Sequence, residues 1–357
     1  MSGGGKTNAR FNPHTSAPTD LPYENLTPTD DDDSWLTVLN GQSSHEPAIV
    51  DGTVYIGTIG GPVGSSKLRA YAISAETGAI EWRFTPDDGL KGTPAVTEDS
   101  VYFTAFDGMV YALNRDDGTE RWRVDIGSSV KSGPTLAEDL LLVGTKAGEL
   151  HALDPEHGDE QWQATAPDVV NHRAAVTRST VIVGNDSGIV AIDLEDGTEL
   201  WRFETNDKAG RDPVIYDGTV YVTCKDEHLY AVDLGDGTQK WRAPTNDDTI
   251  WTSPAVAYGR VYLGTPTVRA FDAADGSELW RTDIEGETPA VTSNTLYVPA
   301  GRKIYALDPA DGSVRGEMEP HTNRQHGHEG SPPAVADGLL CFARDGRDGE
   351  AYLYGIR

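Results

Sequence analysis

The chain has little of what would mark a disulfide scaffold or a membrane protein. Its 357 residues include two cysteines, Cys224 and Cys341, which fall in predicted strands of different repeats, so we expect no disulfide between them. No apolar run of about 18 residues occurs, so no membrane-spanning helix is predicted. The N-terminus also lacks the apolar segment of a signal peptide. We expect a cytoplasmic protein, or an exported or surface-anchored one if an upstream signal segment is missing.

Positive charge is scarce. Lysine and arginine number 29 against 57 aspartates and glutamates, which gives a net charge of −28. Such a charge disfavours nucleic acid and anionic membrane surfaces as partners. The acid excess is spread through the turns of every repeat, and this even acidic coat predicts a halophilic source.

Catalytic motifs are also lacking. The sequence has no G-x-S-x-G elbow, no Walker loop and no H-E-x-x-H helix. We identify no catalytic residue, and an enzyme is the less favoured interpretation.

What is present is an eleven-residue pattern that recurs seven times and has Ala first, Gly in the middle and Trp at the end. Its tryptophans are 39 or 40 residues apart, and the seventh copy has Gly316 in place of Trp. So regular a period indicates a repeat architecture. Six copies end in Trp82, Trp122, Trp162, Trp201, Trp241 and Trp280.

Each repeat is predicted to form four short strands separated by turns rich in Asp and Gly. In the second repeat the sequence predicts strands over 94–96, 101–104, 109–113 and 120–124. Alternating Tyr, Val and Ala in runs of about five residues is typical of half-buried antiparallel strands.

The two ends of the sequence favour a closed ring over an open solenoid. The last repeat, 332–357, has three strands, whereas 34–39 is a lone strand that contains Trp35. Pairing the two closes the ring and removes both exposed edges. We therefore predict an all-β fold over 34–357, an eight-bladed β-propeller of four-stranded antiparallel blades. Its ring is closed by the N-terminal strand pairing with the C-terminal blade, and a flexible acidic and polar tail over 1–33 precedes it.

Trp35 and the six repeat tryptophans are predicted to dock each blade onto the next. Each can remove about 150–250 Å² from water. The Gly four residues before each Trp is expected to turn the third strand into the fourth in a left-handed conformation. Gly316 then marks a weaker joint beside the composite blade.

The pattern A-x-D-x-x-T-G-x-x-x-W resembles the tryptophan-docking motif of the quinoprotein, or PQQ-like repeat, propellers. The segments AISAETGAIEW and AIDLEDGTELW are close copies, and the resemblance covers 34–357. It implies an eight-bladed propeller. The family includes quinone-dependent alcohol dehydrogenases and non-catalytic propeller lipoproteins of outer-membrane barrel assembly.

The sequence lacks the features that carry the chemistry of the dehydrogenases. Those enzymes are longer, with adjacent cysteines over the quinone and a calcium site of Glu, Asn and Asp. Here the loops between blades are short, no Cys-Cys pair occurs and no calcium motif matches. The chain is more similar to the non-catalytic assembly type. No cofactor is expected, and PQQ with calcium is the disfavoured alternative.

The segments that lead into the first strand of each blade are predicted to surround one mouth of the central channel. Cations are concentrated there, and Trp251 is the one tryptophan outside the docking set. Such a group suits an anionic or planar ligand or an acidic peptide, and the alternative is channel packing with local charge balance. The candidate binding residues are His45, Lys91, Lys131, His172, Arg173, Arg211, Trp251 and Glu329.

Three of the nine histidines, His321, His326 and His328, lie close together between the last two blades. With Glu329 they offer imidazole and carboxylate ligands to a transition metal, and solvated loop histidines are the alternative.

Together these features favour a rigid, non-enzymatic binding or scaffolding propeller with a protein or peptide partner. We expect a monomer. The alternative function is a small-ligand sensor or a PQQ-dependent oxidoreductase that uses the cationic mouth.

Overall fold

A computed structural model describes residues 34–43, 45–60, 68–166, 168, 170, 172–209, 211–245, 252–264, 266–319, 331–336, 338–346 and 349–357. All regular structure in these ranges is β-strand, arranged as eight four-stranded antiparallel sheets. This confirms the predicted class, an eight-bladed β-propeller. The same ranges contain no helix that is long and apolar enough to cross a bilayer.

The chain divides into two compact units of four blades each. The central unit is Asp125–Thr288, and the terminal unit combines residues 34–124 with Pro289–Arg357. Blades are numbered here in chain order, and the composite blade is blade eight.

The first nine strands are an N-terminal strand and the strands of blades one and two. Strand β1 (Ser34–Asn40) comes first. Blade one is β2 (Ala48–Val50), β3 (Thr53–Gly57), β4 (Ala70–Ser74) and β5 (Ile80–Phe84). Blade two is β6 (Leu90–Val96), β7 (Ser100–Ala105), β8 (Met109–Asn114) and β9 (Glu120–Asp125).

Blades three to six form the central unit. Blade three is β10 (Thr135–Ala137), β11 (Leu140–Gly144), β12 (Glu149–Leu153) and β13 (Glu160–Thr165). Blade four is β14 (Ala175–Val176), β15 (Thr180–Asn185), β16 (Gly188–Asp193) and β17 (Glu199–Glu204). Blade five is β18 (Val214–Tyr216), β19 (Thr219–Cys224), β20 (His228–Asp233) and β21 (Gln239–Pro244). Blade six is β22 (Ala255–Ala257), β23 (Arg260–Leu263), β24 (Arg269–Asp272) and β25 (Glu278–Arg281).

The last two blades return to the terminal unit. Blade seven is β26 (Ala290–Val291), β27 (Leu296–Ala300), β28 (Lys303–Leu307) and β29 (Val314–Met318). Blade eight contributes β30 (Ala334–Ala336), β31 (Leu339–Asp345) and β32 (Glu350–Ile356) from this part of the chain.

Strand β1 completes blade eight. It pairs antiparallel with β32 over its whole length, from Ser34 opposite Ile356 to Asn40 opposite Glu350. The strand order in that sheet is β1-β32-β31-β30. This confirms the predicted pairing of the N-terminal strand with the C-terminal blade.

Within each unit, tryptophans on the outer strands contact the following blade. Trp82 Nε1 donates to the Arg115 carbonyl at 2.8 Å, and Trp201 Nε1 donates to the Leu234 carbonyl at 3.0 Å. Three more tryptophans make the same kind of bond to the next blade: Trp35 to Ala75, Trp162 to Leu194 and Trp241 to Ala273. Two others pack beside a tyrosine of their own blade: Trp122 beside Tyr102 and Trp280 beside Tyr262.

The repeated glycine is needed for two reasons. It is left-handed in every copy, for example with φ of +70° at Gly118, as the sequence predicted. In five copies (Gly78, Gly118, Gly197, Gly237 and Gly276) the tryptophan of the preceding blade also lies against it, and a Cβ added to Gly118 would be 2.6 Å from the Trp82 ring. Any side chain at this position would therefore push the tryptophan away.

Candidate functional site

In the terminal unit, the segment that leads into blade two is held on both sides by backbone hydrogen bonds. The Leu90 N–H donates to the Thr58 carbonyl of blade one at 3.0 Å, and the Phe106 N–H donates to the Gly89 carbonyl at 3.0 Å. Leu90 also fills the space above Gly57, where an added Cβ would lie 2.8 Å from the leucine Cβ. Its neighbours on both sides therefore fix the segment in place.

Lys91 lies within strand β6, which corrects the sequence prediction of a loop residue. The strand starts four residues earlier than predicted, at Leu90, because the pairing shifts between Lys91 and Ala95 and so skips Pro94, which has no N–H to donate. The Lys91 carbonyl accepts a 2.9 Å bond from Thr104 Oγ1, and its Nζ lies 5.1 Å from the centre of the Phe106 ring. This amine is held over an aromatic face.

The central unit repeats the same construction at two blade boundaries. The Val170 N–H donates to the Thr145 carbonyl at 3.0 Å, and the Ala209 N–H donates to the Asn185 carbonyl at 3.3 Å. A Cβ added to Gly144 would lie 2.4 Å from Val170, so the close approach again requires glycine. The entering segments of blades four and five are thus fixed to the blade before them.

Lys131 is exposed on the entering segment of blade three. It follows Val130, which bridges to Thr145 as Leu90 pairs with Ala105 in blade two. Lys131 and Lys91 therefore occupy equivalent positions in their blades.

His172, Arg173 and Arg211 come together with Asp212 in the central unit. The Arg173 N–H donates to Asp212 Oδ1 at 3.0 Å. Desolvation lowers the pKa of His172, while the Asp212 charge opposes this shift and the Arg211 charge adds to it. The imidazole is therefore neutral at pH 7, and the positive charge of the group belongs to the arginines.

Carboxylates that the sequence analysis missed lie near the same entering segments. Asp186 forms an ion pair with Lys208, and Asp168 accepts a 2.9 Å hydrogen bond from Ser187 Oγ. This part of the central unit carries both signs of charge. A signal was present in the sequence, since an Asp recurs in the turn between the second and third strands, as Asp107, Asp186 and Asp226.

Asp226 is a mostly buried carboxylate in one of these turns. Tyr230 donates to its Oδ2 at 2.5 Å and Asn206 Nδ2 donates to the same atom at 3.3 Å. Desolvation would raise the pKa of Asp226, but the hydrogen bonds, of which that from Tyr230 is the strongest, outweigh it and the pKa is lowered. Burial raises the pKa of nearby Cys224 to about 11, so this thiol stays protonated at neutral pH.

The remaining candidates are not brought into this group. His45 is partly buried between β1 and β2 of the terminal unit. Five predicted site residues lie outside the described residues: Trp251, His321, His326, His328 and Glu329.

Two observations on the described side chains bear on cysteine and metal chemistry. Cys224 and Cys341 are both free and buried, and burial raises the pKa of each thiol. Across the described ranges no three His, Cys, Asp or Glu side chains form a group that could hold a metal ion. The expectation that no quinone binds stays a prediction.

Comparison with known proteins adds two kinds of similarity. A family profile described as outer membrane protein assembly factor BamB matches residues 24–184, 167–267 and 264–352. The outer membrane protein assembly factor BamB of Alkalilimnicola ehrlichii is 29% identical over 190 residues, which cover 49% of this chain and 37% of that protein. The match thus spans little more than a third of that relative's length.

Solved structures share the fold. BamB from Moraxella catarrhalis has a TM-score of 0.71 at 18% identity, over 90% of this chain and 97% of that chain. A quinohemoprotein alcohol dehydrogenase from Comamonas testosteroni has a TM-score of 0.71 at 15% identity, over 93% of this chain and 78% of that chain. Identities this low show the fold alone. The family profile, in contrast, spans most of the sequence, and the chain therefore belongs to the family described as outer membrane protein assembly factor BamB.

Proposed function

We propose that this protein is a non-enzymatic propeller that holds protein partners during an assembly process. The observation that carries the proposal is the construction of the entering segments, which backbone hydrogen bonds fix to the preceding blade in each unit. A surface fixed before binding loses little conformational freedom when a partner docks. Side chains of both signs on such a surface favour a partner with the complementary charge pattern.

On the entering segments of the central unit Lys131, Lys208 and Arg211 are exposed cations, of which Lys208 is paired with Asp186, whereas Arg173 is only partly exposed. We propose that Lys131 and Arg211 contact an acidic region of the partner. The acidic background of the chain, with its net charge of −28, makes exposed cations the points at which such a region would be attracted.

The family description refers to outer membrane protein assembly, so we propose that the protein works in an exported or surface-anchored form. A cytoplasmic location is the alternative. We also propose a monomer, because a net charge of −28 on each copy opposes self-association.

The test is affinity capture from a lysate of the source cells at native salt. The double variant Lys131→Ala with Arg211→Ala should capture at least about tenfold less partner than the parent. This loss should be larger at low salt than at high salt. The matched control is Lys240→Ala on β21, an outer strand of the same unit, which should leave capture unchanged. Equal capture by the double variant would contradict the assigned contacts.

The alternative functions give a different outcome. If the scaffold proposal is right, incubation of the protein with pyrroloquinoline quinone, calcium and simple alcohols should produce neither a stoichiometric complex nor dye reduction. Calcium-dependent binding with turnover would overturn the scaffold proposal. Binding without turnover that is lost in Lys91→Ala with Lys131→Ala would instead favour a ligand sensor.

A further inference from the structure

Strand β1 differs from the other outer strands in its charge. It has the sequence SWLTVLN, with no charged residue, and at 7 residues it is longer than the other outer strands, which have 4 to 6. Charged side chains on an exposed edge prevent unwanted strand pairing. Each of the other seven outer strands carries at least one: Arg83, Arg123, Glu160, Arg202, Arg242, Arg281 and Glu317.

The face of β1 that bears Leu36 and Val38 shows the same contrast, although Leu36 is partly buried against a core cluster that contains Tyr297 and Tyr354. Leu36 directly follows Trp35, where most blades have an arginine after the docking tryptophan. Val38 lies two residues further and is 49% exposed. At the position of Val38 the other tryptophan-bearing strands or their ends have Thr85, Asp125, Thr165, Glu204, Pro244 and Asp283. An apolar side chain is therefore presented to solvent where the other blades place a polar residue or proline.

The opposite face of β1 holds the strand firmly. Trp35, Thr37 and Leu39 are buried, and Thr37 Oγ1 donates to the Gly78 carbonyl of blade one at 2.6 Å. The exposed edge is thus formed before any partner arrives, and docking there would not require β1 to become ordered.

The backbone edge of β1 is a second feature of the strand; at its end the Asn40 N–H donates to the Tyr71 hydroxyl of blade one at 2.9 Å. Among the strands of the described residues, only β32 lies beside β1 in its sheet. In an antiparallel pair, alternate residues direct their N–H and C=O groups away from the partner strand. Those of β1 before Asn40 can therefore accept an added strand, whereas charged side chains disfavour this on the other outer strands.

Charge selects the occupant. The sequence places four aspartates, Asp30–Asp33, directly before Ser34, the first residue of β1, in a chain of net charge −28. A second copy would bring an equal negative charge to the edge and be repelled. An extended segment with apolar residues on one face and Lys or Arg at its end is attracted instead.

We infer that the free edge of β1 is a docking site for an extended, basic peptide segment of a protein partner, which adds to blade eight as a fifth strand. This edge would be one partner surface of the proposed scaffold. The inference rests on the proposed function only in that a protein partner must exist. The two can fail separately, because β1 lies in the terminal unit and the contacts Lys131 and Arg211 lie in the central unit.

The probe is the fluorescent peptide Lys-Val-Thr-Val-Thr-Val-Lys, titrated into the full chain and followed by anisotropy. We expect saturable binding that weakens as salt rises from about 0.1 M to about 1 M. Hydrogen exchange of the β1 amides should slow when the peptide is bound. The same peptide N-methylated at alternate residues should bind at least about tenfold more weakly, because an added strand is held by its backbone.

Two variants locate the site. Val38→Lys should weaken binding at least about tenfold, since it restores the charged edge of the other blades. The matched control Val314→Lys, at a residue 52% exposed on β29, should not change binding. The inference is overturned by absent binding, by equal binding of the N-methylated peptide, or by protection of another outer strand. A dimer that depends on Val38 and excludes the peptide would also overturn it, by assigning the edge to a second copy.

Discussion

Blade eight meets its two neighbours in the terminal unit in different ways. Toward blade one, Trp35 donates to the Ala75 carbonyl at 2.9 Å and packs against Gly78. On blade seven, the position that should hold the tryptophan for blade eight is Gly316. One joint therefore has the docking residue that recurs through the chain, and the other does not.

The topology explains the difference. A docking tryptophan packs on the turn that joins the third and fourth strands of the next blade, as Trp35 does on the turn at Gly78. In blade eight the third strand is β32 and the fourth is β1, and these two strands are not consecutive in the sequence. No such turn joins them, so a tryptophan on blade seven would lack the turn on which the other docking tryptophans pack. Gly316 is thus a consequence of completing the blade with an N-terminal strand.

The largest effect is expected at the joint with the tryptophan. Trp35→Ala should lower the free energy of unfolding by about 3–5 kcal/mol, because it removes a buried indole and leaves a cavity between blades eight and one. Denaturant unfolding at matched salt measures this, with Trp35→Phe as the milder control. A loss below about 1 kcal/mol, the level of an ordinary substitution, would show that this contact does not hold blade eight to blade one.

A smaller effect is expected at the other joint. Gly316 is buried, so Gly316→Trp should destabilise the protein by about 1–3 kcal/mol, as overpacking does. The same denaturant experiment measures it, alongside Gly316→Ala. A gain in stability from the tryptophan would show that blade eight does offer a docking surface, and the topological explanation above would be wrong.

The sequence predicted the blades well because their signals are local and repeated. Trp82 and Gly118 recur at a fixed period, and the left-handed turn follows from the glycine itself. The early start of β6 could not be predicted, because the irregular pairing between Lys91 and Ala95 depends on the neighbouring strand β7. Nor could the reason for Gly316, which depends on where β1 pairs.

The candidate site was predicted less completely. Its cations were proposed from their position along the chain, and the register of Val130 with Thr145 places Lys131 in the position equivalent to Lys91, while their role as a binding site stays a prediction. The carboxylates were missed because they reach the same region from turns between strands, as Asp186 does when it pairs with Lys208. The sequence shows that an Asp recurs in these turns, but it does not show that Asp186 pairs through space with a residue of an entering segment.

The smallest expected effect lies in the turns that blade eight lacks. In blades two, four, five, six and seven the aspartate before the repeated glycine accepts a hydrogen bond from the residue two positions on. In blade four the bond from the Thr198 N–H, at 2.9 Å, is the main cause that lowers the pKa of Asp196. A carboxylate with a lowered folded-state pKa stabilises the protein above its unfolded pKa of about 3.9, and that contribution is lost as pH falls through the folded value. The melting temperature should therefore fall below about pH 4, and Asp196→Asn should make that fall shallower, whereas the exposed neighbour Glu195→Gln should leave it unchanged. An acid slope that is identical in Asp196→Asn and in the parent would mean that these turns do not contribute, and that blades with and without them differ only in tryptophan docking.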